Sequence, residues 1–146
     1  MKIRVLLFAL VCALLTSSGV SAAEPETELG EKMDNMGKAF RVLRKQIADT
    51  SKNADSLAKI ATIRQNAEAS LKLEPAMKKE KPAGERQKFV ADYQADMKKF
   101  ITLCGKLEAA LKANNNTEAE KLCAAMYDAE KAGHKGYKKD EKKKKK

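Results

Sequence analysis

Apolar residues recur at intervals of three and four positions in four stretches of the chain, and this interval is the spacing of one face of an α-helix. The first stretch carries an unbroken apolar stripe formed by Leu29, Met33, Met36, Phe40, Leu43 and Ile47. The segment "DTSKN" at residues 49–53 follows the stripe and is rich in turn and capping residues. We therefore predict that the first helix ends just before residue 49.

The second and third stretches predict two further helices separated by a loop. The second helix covers about residues 54–73, with inward positions at Leu57, Ile60, Ala61, Ala67 and Leu71. The segment "EPAMKKEKPAGE" contains two prolines and a glycine, which favour a loop over a helix. The third helix covers about residues 85–112, with inward positions at Tyr93, Met97, Phe100, Cys104, Leu107 and Leu111.

A fourth helix is predicted after the asparagines at residues 114–116. The segment "TEAE" at residues 117–120 has the pattern of a capping box that opens this helix. The predicted inward positions are Ala119, Leu122, Met126, Ala129, Gly133 and Tyr137. Four amphipathic helices joined by a short, a longer and a short loop are typical of an antiparallel bundle. We predict an all-α, up-down-up-down four-helix bundle over residues 24–139, and an aromatic content of only 5% agrees with it.

The first 22 residues have the features of a secretory signal peptide. Lys2 and Arg4 precede an apolar run at residues 5–15, and Val20 and Ala22 suit the −3 and −1 positions of a cleavage site. A bilayer span needs about 20 apolar residues, so this run is too short to be one. The alternative is a short membrane anchor. We predict a soluble mature chain that starts near residue 23 or 24 and resides in the periplasm.

The formal net charge of +10 is concentrated in the C-terminal tail. Residues 135–146 contain eight lysines against Asp140 and Glu141, whereas residues 24–134 carry only about +2. A basic body that would bind nucleic acid is therefore not predicted. We predict that residues 140–146 are a disordered, solvated lysine run. The functional alternative is an electrostatic arm that steers docking onto an acidic redox partner or an anionic surface.

The only histidine, His134, lies near the end of the predicted fourth helix. In an up-down-up-down bundle this end adjoins the start of the first helix, which carries Met36 on its apolar stripe. At 1.5 Å per residue, Met36 lies about 14 Å and His134 about 9 Å from this end of the bundle. A thioether and an imidazole facing each other across an apolar interior are an axial pair for haem iron.

Both residues also have simpler interpretations. Methionines at helical spacing commonly fill a core, and a histidine near a helix C-terminus interacts favourably with the helix dipole. One alternative function is therefore a haem-free extracytoplasmic bundle that binds peptides, lipid or another protein. Another is a copper site formed by Met33, Met36 and His134, since thioether and imidazole ligands suit Cu(I). We predict no enzyme, because the sequence shows no nucleophile–base pair and no phosphate-binding glycine loop.

Three segments resemble the cytochrome b-562 family: "DNM" at residues 34–36, "LCGKLEAALK" in the third helix and "AGHKGYK" near the end. The resemblance spans nearly all of residues 29–138. It implies a periplasmic one-electron carrier that binds haem b, with Met36 and His134 as the axial ligands. Related bundles with covalent haem require Cys-x-x-Cys-His, and the four residues before His134 contain no cysteine. Non-covalent haem is therefore expected.

The resemblance also implies that Phe100 packs near the haem. The sequence departs from the family at Asp96, where the family has a second aromatic residue, and Tyr93 or Met97 is expected to fill that place. The loop before the third helix is also longer than in the family. The residues that we expect to line the haem pocket are Met33, Phe40, Tyr93, Met97 and Phe100.

Two cysteines, Cys104 and Cys123, remain once the leader with Cys12 is removed. They lie ten and nine residues from the midpoint of the turn between the third and fourth helices, so their heights in the bundle nearly match. An oxidising compartment favours a disulfide between them. Around its helix, however, Cys123 lies about 60° from Met126 on the side of His134. If that side faces the first helix, the thiols point apart and stay free and buried.

Overall fold

The structure is a computed structural model that describes residues 27–138. This part of the chain contains four α-helices, which are α1 Glu28–Gln46, α2 Asn53–Ser70, α3 Arg86–Lys112 and α4 Asn116–Tyr137. Short 3-10 turns lie at Thr50–Lys52, Ala76–Glu80 and Ala83–Glu85. Residues 27–138 contain no strand, and none of their helices is long and apolar enough to cross a membrane. The predicted leader with Cys12 and the lysine tail at residues 140–146 lie outside the described residues.

Hydrogen bonds at the two ends of the bundle reflect the alternating direction of the helices. At one end, which we call the asparagine end, Asn116 of α4 donates to the carbonyl of Ile47 (2.7 Å) and to the side chain of Asn53 (2.8 Å). These three residues lie at the start of α4, the end of α1 and the start of α2. At the opposite end, the tyrosine end, Tyr93 of α3 donates to the carbonyl of Ser70 at the end of α2 (3.1 Å). The predicted up-down-up-down bundle is confirmed.

The core follows the apolar stripes predicted for α1, α3 and α4. Its buried members are Met36, Ala39, Phe40, Leu43, Ile47, Ile60, Ile63, Ala67, Cys104, Leu107, Ala110, Leu111, Ala119, Cys123 and Met126. Each large aliphatic side chain that is fully buried contributes about 1.5–3 kcal/mol. Helix α1 packs on α2, α2 on α3 and α3 on α4, and the backbones of α1 and α4 approach each other less closely than these pairs.

The buried face of α2 differs from its predicted face. Ala61 is exposed, whereas Ile63 is fully buried. Ser56 and Ser70 complete this face, and both buried hydroxyls are hydrogen-bonded. Because some buried positions of α2 carry small polar residues, the pattern of apolar residues alone did not identify this face. The helix also ends at Ser70, before the predicted residue 73.

The start of α4 is set by a different cap from the one predicted. The side chain of Asn115 accepts a hydrogen bond from the N–H of Glu118 (3.1 Å), so Asn115 is the N-cap. Thr117 already lies in the first turn, and the predicted capping box is wrong. Asn114 has φ +53°, a left-handed conformation that asparagine tolerates, and it reverses the chain between α3 and α4.

Of the two outcomes left open for Cys104 and Cys123, the structure has the one in which both thiols are free and buried. The two thiols lie next to different helices. The charges that act on Cys104 belong to Arg64 and Glu68 of α2, whereas the charge that acts on Cys123 belongs to Arg44 of α1. Equal height in a helical hairpin therefore does not bring the sulfur atoms together, since a bridge also requires side chains that face each other.

Candidate functional site

Most of the predicted haem-pocket residues of α1 and α3 come together in one apolar cluster. Met36 and Phe40 lie inside it, with 7% and 4% of their surfaces exposed. Met33, Met97 and Phe100 are partly buried and pack against its edge. The thioether of Met36 is thus held among apolar side chains. The cluster offers a soft sulfur donor in surroundings that exclude water.

His134, the other predicted axial ligand, lies on the last turn of α4, three residues before the helix ends. Its side chain is exposed, and the structure does not bring it into the cluster that holds Met36. Among the described residues the imidazole has no hydrogen bond or ion pair to another side chain. Its ring nitrogens are therefore available to a ligand. Met36 and His134 both lie in the half of their helix that adjoins the tyrosine end.

The seam between α1 and α4 is bridged by a stacked pair. The guanidinium of Arg44 on α1 lies 3.8 Å from the ring centroid of Tyr127 on α4. Sequence reasoning missed this pair, although the arginine and the aromatic ring lie on the two helices that carry Met36 and His134. The contact shows that α1 and α4 are neighbours even though their backbones stay farther apart than those of the other adjacent helices.

Tyr93, predicted to line the pocket, is buried but belongs to a separate ring cluster at the tyrosine end. Its ring packs edge-on against Tyr137 of α4, with centroids 5.3 Å apart, and Tyr137 also contacts Phe89 at 5.4 Å. Burial raises the pKa of Tyr93 to about 12, while its hydrogen bond to the Ser70 carbonyl acts in the opposite direction. This phenol therefore stays protonated at neutral pH and anchors α3 to α2.

Asp96 makes a polar contact between α3 and α4. Its Oδ2 accepts a hydrogen bond from the hydroxyl of Tyr137 (2.8 Å), and its Oδ1 accepts one from Lys99 (3.0 Å). The hydrogen bond from Tyr137 is the main cause that lowers the pKa of Asp96. Sequence analysis identified Tyr137 as inward-facing but missed this contact. The sequence places Tyr137 one helical turn after His134, but it does not indicate that Asp96 is the partner of Tyr137.

The family model for cytochrome b562 matches residues 28–138, a range that contains all four described helices. The chain belongs to the cytochrome b562 family. A search of curated proteins and a search of solved structures found no significant match. Cytochrome b562 proteins are helical bundles that bind haem and carry electrons, which is the broad function that membership assigns to this chain.

The donor set of this cytochrome b562 chain fits haem. Met36 supplies a buried thioether, His134 supplies an imidazole without a side-chain partner in the described part of the chain, and the apolar cluster around Met36 suits the face of a porphyrin. Within residues 27–138 there is no group of three or more His, Cys, Asp or Glu side chains that could hold a metal ion. The two candidate donors are thus one thioether and one imidazole, which lie apart in this structure.

Proposed function

We propose that this cytochrome b562 family member is a periplasmic one-electron carrier that holds haem b non-covalently between Met36 and His134. Bound haem iron would supply the reversible one-electron couple. The observation that carries the proposal is a buried thioether on α1 together with an exposed imidazole on the last turn of α4 that has no side-chain partner among residues 27–138, in a chain whose family binds haem.

The protein would supply ligation and exclude water. Met36 is oriented by the core around it, and Phe40, Met97 and Phe100 provide apolar surface on α1 and α3. Ligation by Met and His would raise the reduction potential of the haem relative to ligation by two histidines. With Met36 and His134 both holding the haem, the iron would have no free position for oxygen or a substrate, which would favour electron transfer over catalysis.

Non-covalent attachment is supported by the positions of the cysteines. Cys104 and Cys123 are both buried in the core, and Cys123 precedes His134 by three turns of α4. Neither thiol adjoins the imidazole in the way that a Cys-x-x-Cys-His attachment site requires. The haem would therefore be held by its two axial bonds and by apolar packing.

The periplasmic assignment is supported by the sequence of residues 1–22, which has the n-region, apolar run and small residues of a secretory signal. A measurement of the N-terminus of the protein secreted from its own cell type tests this assignment. We expect the mature chain to start near residue 23 or 24. Retention of residues 1–22 on the exported protein would contradict it.

The ligand assignment is tested by alanine variants at three positions. His134→Ala and Met36→Ala should each convert a six-coordinate low-spin spectrum into a five-coordinate one and weaken haem binding. The loss of affinity should be greater for His134→Ala, because imidazole is the stronger donor. Visible spectroscopy of each variant during haem titration provides the measurement.

Met33→Ala is the matched control, because Met33 lies one turn from Met36 on the same face of α1 and its side chain also contacts the apolar cluster. This variant should retain the low-spin spectrum. A result in which Met33→Ala abolishes that spectrum and Met36→Ala preserves it would show that Met33 is the ligand.

A further inference from the structure

The last turn of α4 is tied to α3 by a hydrogen bond between side chains. The hydroxyl of Tyr137 donates to Oδ2 of Asp96 over 2.8 Å, and these residues lie 41 positions apart in the chain. Burial and the neighbouring carboxylate raise the pKa of Tyr137, so its hydroxyl remains a proton donor at neutral pH. A neutral donor and an ionised acceptor form a stronger hydrogen bond than two neutral groups.

The ring of Tyr137 is fixed from two further sides. It packs edge-on against Tyr93 at 5.3 Å and tilted against Phe89 at 5.4 Å. Tyr93 is itself anchored to α2 through the carbonyl of Ser70 (3.1 Å). The end of α4 is therefore connected to both α3 and α2, and the orientation of Tyr137 is determined by contacts outside its own helix.

This end of α4 has little intrinsic helical stability. Gly133 and Gly136 flank His134, and glycine is the weakest helix former after proline. The last turn of a helix also contains carbonyl groups without intrahelical partners, so it tends to fray. His134 is exposed and its side chain has no partner within residues 27–138 to hold it in place. Its position thus depends on what holds the turn.

Tyr137 lies three residues after His134, which places both on one turn of α4. We propose that the Asp96–Tyr137 hydrogen bond is a latch that fixes the backbone of the last turn of α4, the turn from which the exposed His134 side chain would reach the haem. This inference rests on the proposed function, because it takes His134 to be a ligand. Asp96 and Tyr137 are positioning residues, and neither contacts the haem in this account.

The test uses variants that remove each half of the latch. Tyr137→Phe keeps the ring contacts and deletes the donor, Asp96→Ala deletes the acceptor, and Asp96→Asn retains one acceptor oxygen. Two controls are matched to them. Tyr127→Phe removes a hydroxyl from the same helix while keeping the ring that stacks on Arg44, and Lys99→Gln removes the charge of the other partner of Asp96.

The first readout is amide hydrogen exchange of residues 131–138 in the haem-free protein. We expect Tyr137→Phe and Asp96→Ala each to speed exchange in this segment about tenfold, the size expected for losing one hydrogen bond. Asp96→Asn should restore part of the protection, the double variant should be no faster than either single variant, and the controls should match the unmodified protein. Unchanged exchange in both single variants would overturn the latch.

The second readout distinguishes positioning from a purely structural role. In haem-loaded protein, both single variants should release haem to a scavenger protein about tenfold faster and shift the g-values of the low-spin electron paramagnetic resonance signal, which depend on imidazole orientation. Faster exchange with unchanged g-values and haem release would overturn the positioning role. If the unmodified protein binds no haem, the proposed function and the positioning role fail together, while hydrogen exchange still decides whether the latch exists.

Discussion

At the scale of single residues, burial sets the chemistry of the two cysteines. Cys104 is fully buried, and burial raises the pKa of its thiol to about 12. Burial also raises the pKa of Cys123, against an opposing effect of Arg44. A thiol reacts as its thiolate, so a raised pKa makes both cysteines poor nucleophiles at neutral pH. Their role is to fill the core.

A thiol titration without reductant checks this interpretation. In the folded mature protein at pH 8, Cys104 and Cys123 should react with a disulfide reagent roughly a hundredfold or more slowly than in the denatured protein, because both burial and the raised pKa suppress attack. After denaturation in urea, two thiols per chain should react. If no thiol reacts after denaturation, the cysteines are bridged, and the interpretation that both are free core residues is contradicted.

The sequence identified candidate ligands at the residue scale, but it did not show which side chains surround them. Met36 stood out through its helical spacing and His134 through being the only histidine. The partner of Asp96, by contrast, is Tyr137, 41 residues away, and the pair becomes visible only when α3 and α4 are docked. Similarly, the heights of Cys104 and Cys123 follow from counting residues, whereas the directions of their side chains depend on which helices are neighbours.

At the scale of the helices, a buried polar network fixes the asparagine end. Asn53 at the start of α2 donates to Asn114 (3.0 Å) and to Asn116 (3.1 Å). Asn116 in turn donates to Asn53 and to the carbonyl of Ile47. These contacts connect three helix ends, and no buried side-chain polar atom among the described residues is without a partner.

Asn53→Ala should lower the free energy of unfolding by about 1–3 kcal/mol, because it leaves buried polar atoms of Asn116 without their partner. Urea unfolding measures this change. Asn66→Ala in the same helix is the control, since Asn66 donates only to the carbonyl of Thr62 within its own helix. The control should stay within about 0.5 kcal/mol of the parent. Equal losses in the two variants would contradict a special role for the network.

The accuracy of the helix predictions followed the kind of residue that each helix buries. α1 and α3 bury large apolar side chains at intervals of three and four, so their faces were predicted correctly from the sequence. α4 buries one large apolar side chain, Met126, and its predicted cap was wrong. α2 buries Asn53, Ser56 and Ser70, which a hydrophobic pattern assigns to the surface. Their burial is stabilised by hydrogen-bond partners that include residues outside α2, and such partners cannot be paired from one sequence.

At the scale of the whole molecule, charge is distributed unevenly. Many lysines and arginines of the described helices pair with acids one turn away, as in Lys38–Asp34 and Lys88–Asp92. Such exposed pairs contribute little to stability, about 0–1 kcal/mol each, but they balance the charge of the surface. Most of the unbalanced positive charge lies at residues 135–146, where eight lysines stand against Asp140 and Glu141. We propose that the lysine run at residues 140–146 steers encounters with an acidic redox partner.

Replacement of the five lysines at residues 142–146 by glutamine keeps the tail length and removes its positive charge. With an acidic redox protein as partner, the electron-transfer rate of the parent should fall steeply as ionic strength rises, because salt screens electrostatic steering. The variant should show a slower rate at low salt and a flatter dependence. With an uncharged small-molecule oxidant the two proteins should behave alike. An unchanged salt dependence would remove the steering role.

The most direct measurement of the central claim is the visible spectrum of the purified mature protein during titration with haem b. Met/His ligation predicts saturation at one haem per chain and, on reduction, a sharp Soret band with split α and β bands typical of a six-coordinate low-spin iron. A protein that is colourless once unbound haem has been removed, or a titration that shows only the spectrum of free haem, would contradict the account.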